Sequence, residues 1–206
     1  MSGNTKAVHL TRGTRLFANN NREEDDFYAT DPKALEMILP QLQLSHRVWE
    51  CACGMGHLSK VLQAAGYDVR STDLVDRGFG ESGVDFLATT EHWDGDILTN
   101  PPFKLATQFV LHALDIATTG HKVIMFMPLT YLEGKTRWYN IYRTTPPQVI
   151  YVSTSRLATS RLSRLTGEPD RGIMAFAWWV WEKGYTGETI LRWFNTPPVN
   201  QISIFD

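Results

Sequence analysis

Asn100-Pro101-Pro102-Phe103, at the end of the run Trp93-Asp94-Gly95-Asp96-Ile97-Leu98-Thr99, is the stretch of this chain best equipped for chemistry. The run before it passes from acidic to apolar and predicts a strand whose tip presents an amide, a bare carbonyl and a ring. Proline has no N–H, fixes its own φ and pushes the residue before it into extended geometry. Two prolines in a row make a rigid corner with free acceptors and few donors. Such a corner can accept hydrogen bonds from an amino group while the ring stacks on a flat substrate. Pro-Pro also occurs at Pro146-Pro147 and Pro197-Pro198, so a plain loop competes with this reading until the surrounding elements support it.

The elements that must position the corner are legible on both sides of it. Arg47 to Ser59 reads as a strand, a glycine-rich turn with Gly54 and Gly56, and the start of a helix, with Cys51 and Cys53 on the strand. A helix over Leu58 to Ala65 follows, with Leu58, Val61, Leu62 and Ala65 on one buried face and Gly66 as its C-terminal cap. Gly-x-Gly after a strand lets backbone approach a cofactor closely. A nicotinamide fingerprint would carry a third glycine where Ser59 stands. The next strand, Tyr67 to Leu74, ends in Asp73, a carboxylate placed to accept both ribose hydroxyls of a nucleoside cofactor. Asp31 is a good helix N-cap, and Pro32 suits the first helical position. Downstream, the spacing predicts helices over Lys104 to Ala117 and Leu132 to Arg143. Val123 to Met127 reads as a strand buried on both faces. Closing strands are predicted at Val149 to Val152, Ile173 to Glu182 and Thr189 to Phe194. Alternating β and α at this spacing predicts an α/β, doubly wound sheet.

Asn-Pro-Pro-Phe, taken with the glycine turn, resembles the catalytic motif of amino methyltransferases, above all the DNA N6-adenine methyltransferases of small phage or prophage type. The resemblance spans about residues 25 to 182 and implies a Rossmann-like class I methyltransferase fold, mostly parallel with an antiparallel last strand. It implies S-adenosylmethionine as the cofactor. It implies that Asn100 and the Pro101 carbonyl accept the two N–H bonds of an adenine amino group, localising its lone pair towards the methyl donor, with Pro102 completing the corner. Phe103 would stack on a base that has left the duplex. On the cofactor side it implies that Glu50 faces the donor's amino group and that Gly54 and Gly56 skirt the sulfonium. Asp85 and Phe86, in Gly83-Val84-Asp85-Phe86-Leu87, would take the adenine amino group and flank its ring. Asp25-Asp26-Phe27-Tyr28-Ala29-Thr30-Asp31-Pro32 is similar to the segment that folds over the methionine end of the donor, with Tyr28 and Thr30 as contacts. Leu132 to Arg137 is similar to a segment after the fifth strand in phage-type enzymes.

Composition narrows the field. At 206 residues the chain is long enough for one domain with a real core, read as residues 25–206 behind a polar arm, 1–24. There is no run of eighteen apolar residues and no secretory leader pattern, so a cytoplasmic enzyme that contacts no membrane is expected. Two cysteines, Cys51 and Cys53, are too few for a zinc site, and the six histidines show no metal-ligand spacing. No metal is expected. The strand tip has no Pro-Cys pair, which argues against methylation of cytosine C5. Net charge is −2, yet seven positives and two negatives lie between Lys135 and Arg171. From these, Lys135, Arg137, Arg156, Arg161, Arg164 and Arg171 are the candidate DNA contacts, four of them in an Arg-rich loop over 153–172. Double-stranded DNA is thus the expected partner. Few residues separate Phe86 from Asn100, so no recognition domain fits there, and relaxed or very short sequence preference is expected. Methylation of RNA adenine or of a protein glutamine amide stays open, as does a non-catalytic nucleic-acid-binding role on the same fold. Trp178, Trp179, Trp181 and Trp193 are expected to pack rather than stack on bases.

Overall fold

A computed structural model describes residues 30–155 and 174–195. Asp31 caps helix α1 (Pro32–Glu36) by accepting from the Lys33 N–H at 3.0 Å, and α2 (Leu39–Leu42) follows. The chain then enters strand β1 (Arg47–Glu50). The glycine turn leads into α3 (His57–Ala64), and Gly66, at φ +90°, ends it as expected. Next come β2 (Asp68–Asp73), the short β3 (Glu81–Ser82) and β4 (Asp96–Thr99), whose four residues are all buried. Helix α4 (Ala106–Ile116) and β5 (Lys122–Pro128) complete the parallel half. Then follow a helical turn α5 (Lys135–Arg137), β6 (Val149–Ser153), β7 (Phe176–Glu182) and β8 (Ile190–Phe194).

The eight strands form one sheet in the order β3-β2-β1-β4-β5-β7-β6-β8. Every pairing is parallel except the two made by β7, which runs against β5 and β6. The antiparallel strand, expected as the last, is therefore the seventh, and it lies between β5 and β6. The chain adds an eighth, at the edge and parallel to β6. Strand order reverses between β1 and β4, and in such sheets the crevice outside the carboxyl ends at that reversal is where ligands bind. Glu50 ends β1 there, and Asn100 follows the last residue of β4.

Strand period sorts the core into two layers. Val123, Met125 and Met127 of β5, with Ala177, Trp179 and Trp181 of β7, face one layer together with α4. Ile124, Phe126, Trp178 and Val180 face the other, against α1 and α3. The three tryptophans of β7 are fully buried, and each indole N–H donates to a carbonyl: Ala34, Met127 and Thr145. Truncating one costs about 3–5 kcal/mol. Trp193 departs from expectation. It is 63% exposed on β8, because an edge strand has only one flank to pack.

The predicted helix over Leu132 to Arg143 is also corrected. The segment is a 3₁₀ turn at Leu129–Leu132, the turn α5 and a π-helical turn at Trp138–Tyr142. The Arg137 guanidinium donates to the carbonyls of Thr130, Tyr131 and Glu133, tying the start of the segment together from outside. Gly134, at φ +130°, makes the break. The wide π turn seats Ile141 in the core and stacks Tyr142 on Trp179, the planes 10° apart. Among the described residues no helix is long and apolar enough to cross a membrane.

Candidate active site

A cavity of about 380 Å³ opens at the reversal between β1 and β4. Thr30, Glu50, Asp73, Asp85, Phe86, Asn100, Pro101 and Pro102 all line it, so the fold gathers eight of the sequence candidates around one space. Cys51, Ala52, Cys53, Leu74, Val75 and Leu87 supply the apolar wall between the acids.

Glu50 lies at the bottom, 2% exposed. Burial pushes its carboxyl up to about 8, against a hydrogen bond from Ser59 that lowers it. Ser59 Oγ donates to the carboxylate and lies 2.6 Å from Ser71 Oγ, so a hydroxyl pair braces the acid from the side of α3 and β2. A buried acid lined up on a cavity has a use for a cationic ligand, whose charge would restore the ionised form.

Asp73 is held by both oxygens. One accepts from the Gly54 N–H at 2.7 Å and the other from the Val75 N–H at 2.9 Å. An ionised carboxylate has about four acceptor sites, so hydroxyls of a bound ligand can share it. Asp85 caps a 3₁₀ turn by accepting from Leu87 N–H at 3.0 Å, and exposed Leu74 borders the same part of the cavity.

Three assigned roles change. Gly54 and Gly56 shape the turn and do not line the cavity. Gly54 gives its N–H to Asp73, and Gly56, at φ +77°, lies under Phe79, whose ring a Cβ would meet at 2.4 Å. Phe86 borders the cavity, but its ring is 2% exposed, edge-on to Trp49 and tilted on Phe109. It is spent on the core and cannot flank a ligand ring with its face; the neighbouring apolar groups are Leu74, Val75 and Leu87. Phe103 does not line the cavity and leans on Phe176 with ring centroids 5.7 Å apart.

The asparagine corner stands as a rigid tip. Pro101 is buried, and the Asn100 side-chain nitrogen donates to Thr30 Oγ1 at 2.9 Å, a partner seventy residues away in sequence. The two cysteines are buried thiols. Burial raises both, and Cys53, further opposed by Glu50 and Asp73, is pushed up to about 12. Neither is a thiolate nucleophile at neutral pH. Among the described residues no cluster of metal-ligating side chains exists.

Of the candidate DNA contacts, exposed Lys135 stands near the corner's side of the sheet. Arg137 is taken up by the three carbonyls and by the face of Tyr131, 4.6 Å from the ring centre, so it holds the loop rather than reaching out. Tyr28, Arg156, Arg161, Arg164 and Arg171 lie outside the described residues. The sequence reading missed Trp138 and Tyr139, 54% and 59% exposed on the π turn. Arg143 lies over the Tyr139 ring, 5.5 Å from its centre. Consecutive aromatics inside a segment read as an ordinary amphipathic helix gave no signal of exposure.

No protein-family model and no curated protein sequence matches the chain. Among solved structures it is similar to a Listeria monocytogenes protein described as a class I S-adenosylmethionine-dependent methyltransferase. The TM-score is 0.52 at 13% identity, over 79% of this chain and 62% of that one. It is likewise similar to an S-adenosylmethionine-dependent O-methyltransferase of Thermotoga maritima, with a TM-score of 0.51 at 15% identity, over 76% of this chain and 67% of that one. The chain thus spans less than two thirds of the Listeria protein's length. At these identities the likeness is one of fold, and with the strand order and the antiparallel seventh strand it gives the conclusion: this chain has the class I methyltransferase fold.

Proposed function

We propose that the chain methylates the N6 amino group of adenine in double-stranded DNA, using S-adenosylmethionine, with relaxed or short sequence preference. The observation that carries this reading is the meeting of Glu50, Asp73 and the Asn100-Pro101-Pro102 corner around one cavity. The residues fit the donor by type. Buried Glu50 suits an ammonium group, Asp73 suits ribose hydroxyls, and Leu74, Val75 and Leu87 suit an adenine ring with Asp85 at its edge. The bound donor supplies an electrophilic methyl group on a sulfonium, which leaves as a neutral thioether.

The chain's own residues then have a narrow task. The lone pair of an exocyclic adenine nitrogen is delocalised into the ring, so the amine is a poor nucleophile. Asn100 Oδ1 and the Pro101 carbonyl accept its two N–H bonds and localise that pair towards the methyl carbon. This is positioning plus electrostatic stabilisation. The nitrogen–carbon bond forms as the sulfur–carbon bond breaks, and the extra N–H proton leaves to solvent. Neither Asn100 nor Pro101 is a base.

Nucleic acid as the acceptor is supported by the surface next to the corner. Leu129 N–H donates to the Ala175 carbonyl at 2.8 Å, next to Phe176, the residue on which Phe103 leans. From there the chain runs directly to exposed Lys135, Trp138, Tyr139 and Arg143. Rings interleaved with cations suit stacked bases and phosphates. Arg156, Arg161, Arg164 and Arg171 extend the same charge along the sequence.

The test is production of the protein in a bacterial host that lacks adenine methylation, with its genomic DNA digested to nucleosides. N6-methyladenine is expected with the wild type and not with Asn100→Ala. Its absence from both, with soluble protein present, would refute the reading.

A further inference from the structure

We infer that strand β8 is the contact surface of a dimer of this chain: its free edge pairs antiparallel with the same edge of a second copy, in the register centred on Ile190. β8 lies at the far edge of the sheet from the β1–β4 reversal, so the contact is independent of the cavity and of the methyl-transfer reading.

β8 is short, apolar and uncovered. Ile190, Leu191 and Trp193 are all exposed, and because side chains alternate along a strand, both of its faces are bare. Its inner flank is spent on β6. The Ile190 N–H donates to the Gln148 carbonyl at 3.0 Å, and the Phe194 carbonyl accepts from the Thr154 N–H at 3.2 Å. In a parallel ladder alternate residues face the partner strand, so Leu191 and Trp193 turn their N–H and C=O groups outward. Among the described residues no strand lies beyond β8. Natural edges are blunted by lysine, proline, a bulge or a cover. β8 has no lysine and no proline, its register with β6 is unbroken, and its one charge is Arg192.

Charge identifies the occupant. Glu188 and Arg192 are both exposed, and among the described residues neither has a charged partner. Carried back at strand period, Glu188 falls on the face of Ile190 and Arg192, about 13 Å from Arg192 and too far to pair with it in one chain. In an antiparallel pair related by a twofold axis, the residue on the axis fixes the register. With Ile190 there, each Glu188 faces the partner's Arg192, and Leu191 faces the partner's Thr189. Moving the axis to Leu191 sets Arg192 against the partner's Ile190. Moving it to Arg192 sets two guanidinium groups opposite each other, which is destabilising. Of these registers only the first matches both charges and covers Ile190 with its own copy. The strand is thus complementary to itself, which favours a second copy over an unrelated extended peptide.

The experiment is sedimentation equilibrium of the full chain. A contact of one short edge is small for a protein interface, so dissociation on the order of micromolar is expected, and the series runs up to about 0.5 mM. The wild type should dimerise. Glu188→Arg and Arg192→Glu should each weaken the dimer by about 5-fold or more, because each sets like charges opposite one another. The double variant Glu188→Arg, Arg192→Glu exchanges the charges and should restore the dimer to within about twofold. Melting temperatures should stay level across the set, since both side chains lie at the surface. A monomer at every concentration overturns the inference and gives the edge to another occupant. A dimer indifferent to both reversals, or one that the double variant fails to restore, overturns it too, because the contact would then lie elsewhere or in another register.

Discussion

On the β1–β2 side of the cavity, the polar groups are braced by residues close in sequence, and on the β4–β5 side they are braced from far away. Glu50 is held by Ser59, and Asp73 by the Gly54 and Val75 N–H groups. Asn100, by contrast, is held by Thr30, seventy residues away, and Tyr131 by Thr107 of α4. The first side is a cradle built within one β1-α3-β2 unit. The second is an assembly that exists only once the sheet has formed. A donor common to many enzymes can be held by a local device, whereas the acceptor surface is assembled by the individual fold.

If the two sides are separable in this way, substitutions should divide cleanly between them. Asn100→Ala should reduce methyl transfer at least about 10²–10³-fold, the scale for losing one group that stabilises developing charge. Donor affinity measured by calorimetry should stay within about twofold; a large loss there would join the two sides. Asp73→Ala should act the other way, weakening the donor by about 10–100-fold, since hydrogen bonds to charged groups contribute about 1.5–3 kcal/mol each. Its transfer rate should recover at saturating donor. The double variant Trp138→Ala, Tyr139→Ala should raise the KM for DNA by about 5- to 100-fold, from about 1–3 kcal/mol per stacked base. The donor KM should not move, and if it does the aromatic pair is no acceptor platform.

The smallest effect sharpens the cradle itself. Burial holds Glu50 near 8, above its ordinary 4.5. Between those values the unfolded chain has released this proton and the folded protein keeps it, so stability falls as pH rises through the window. Glu50→Gln has no such proton. Without donor, its melting temperature relative to wild type should rise by a few degrees from about pH 5 to pH 8 and level off beyond. A difference that does not change with pH would contradict the buried, protonated acid. Adding donor should favour the wild type alone.

How much of this was legible in the sequence follows the same divide. The Asp31 and Pro32 start of α1, the Gly66 stop of α3 and the two-faced burial of β5 are each written in a few adjacent residues, and each is found in place. The cradle acids were readable because strand ends and turn glycines mark positions beside a cofactor. What the pattern could not carry was competition for one side chain between a ligand and the fold itself. Phe86 had to choose between a ligand and the Trp49–Phe109 cluster, and the core took it. Arg137 had to choose between phosphate and three nearby carbonyls, and the carbonyls hold it. Trp193 reads as a core residue by type, yet it belongs to a strand that ended up on the edge. The bond from Thr30 to Asn100 joins two segments whose nearness only the folded sheet creates.

The most direct test of the central claim offers purified protein methyl-labelled S-adenosylmethionine together with unmethylated duplex DNA, RNA and bulk protein, and identifies the labelled product. Label in DNA alone, released as N6-methyladenine and absent with Asn100→Ala, is the expected result. Label in RNA or protein, on another atom of DNA, or undiminished in Asn100→Ala would contradict the role assigned to the asparagine corner.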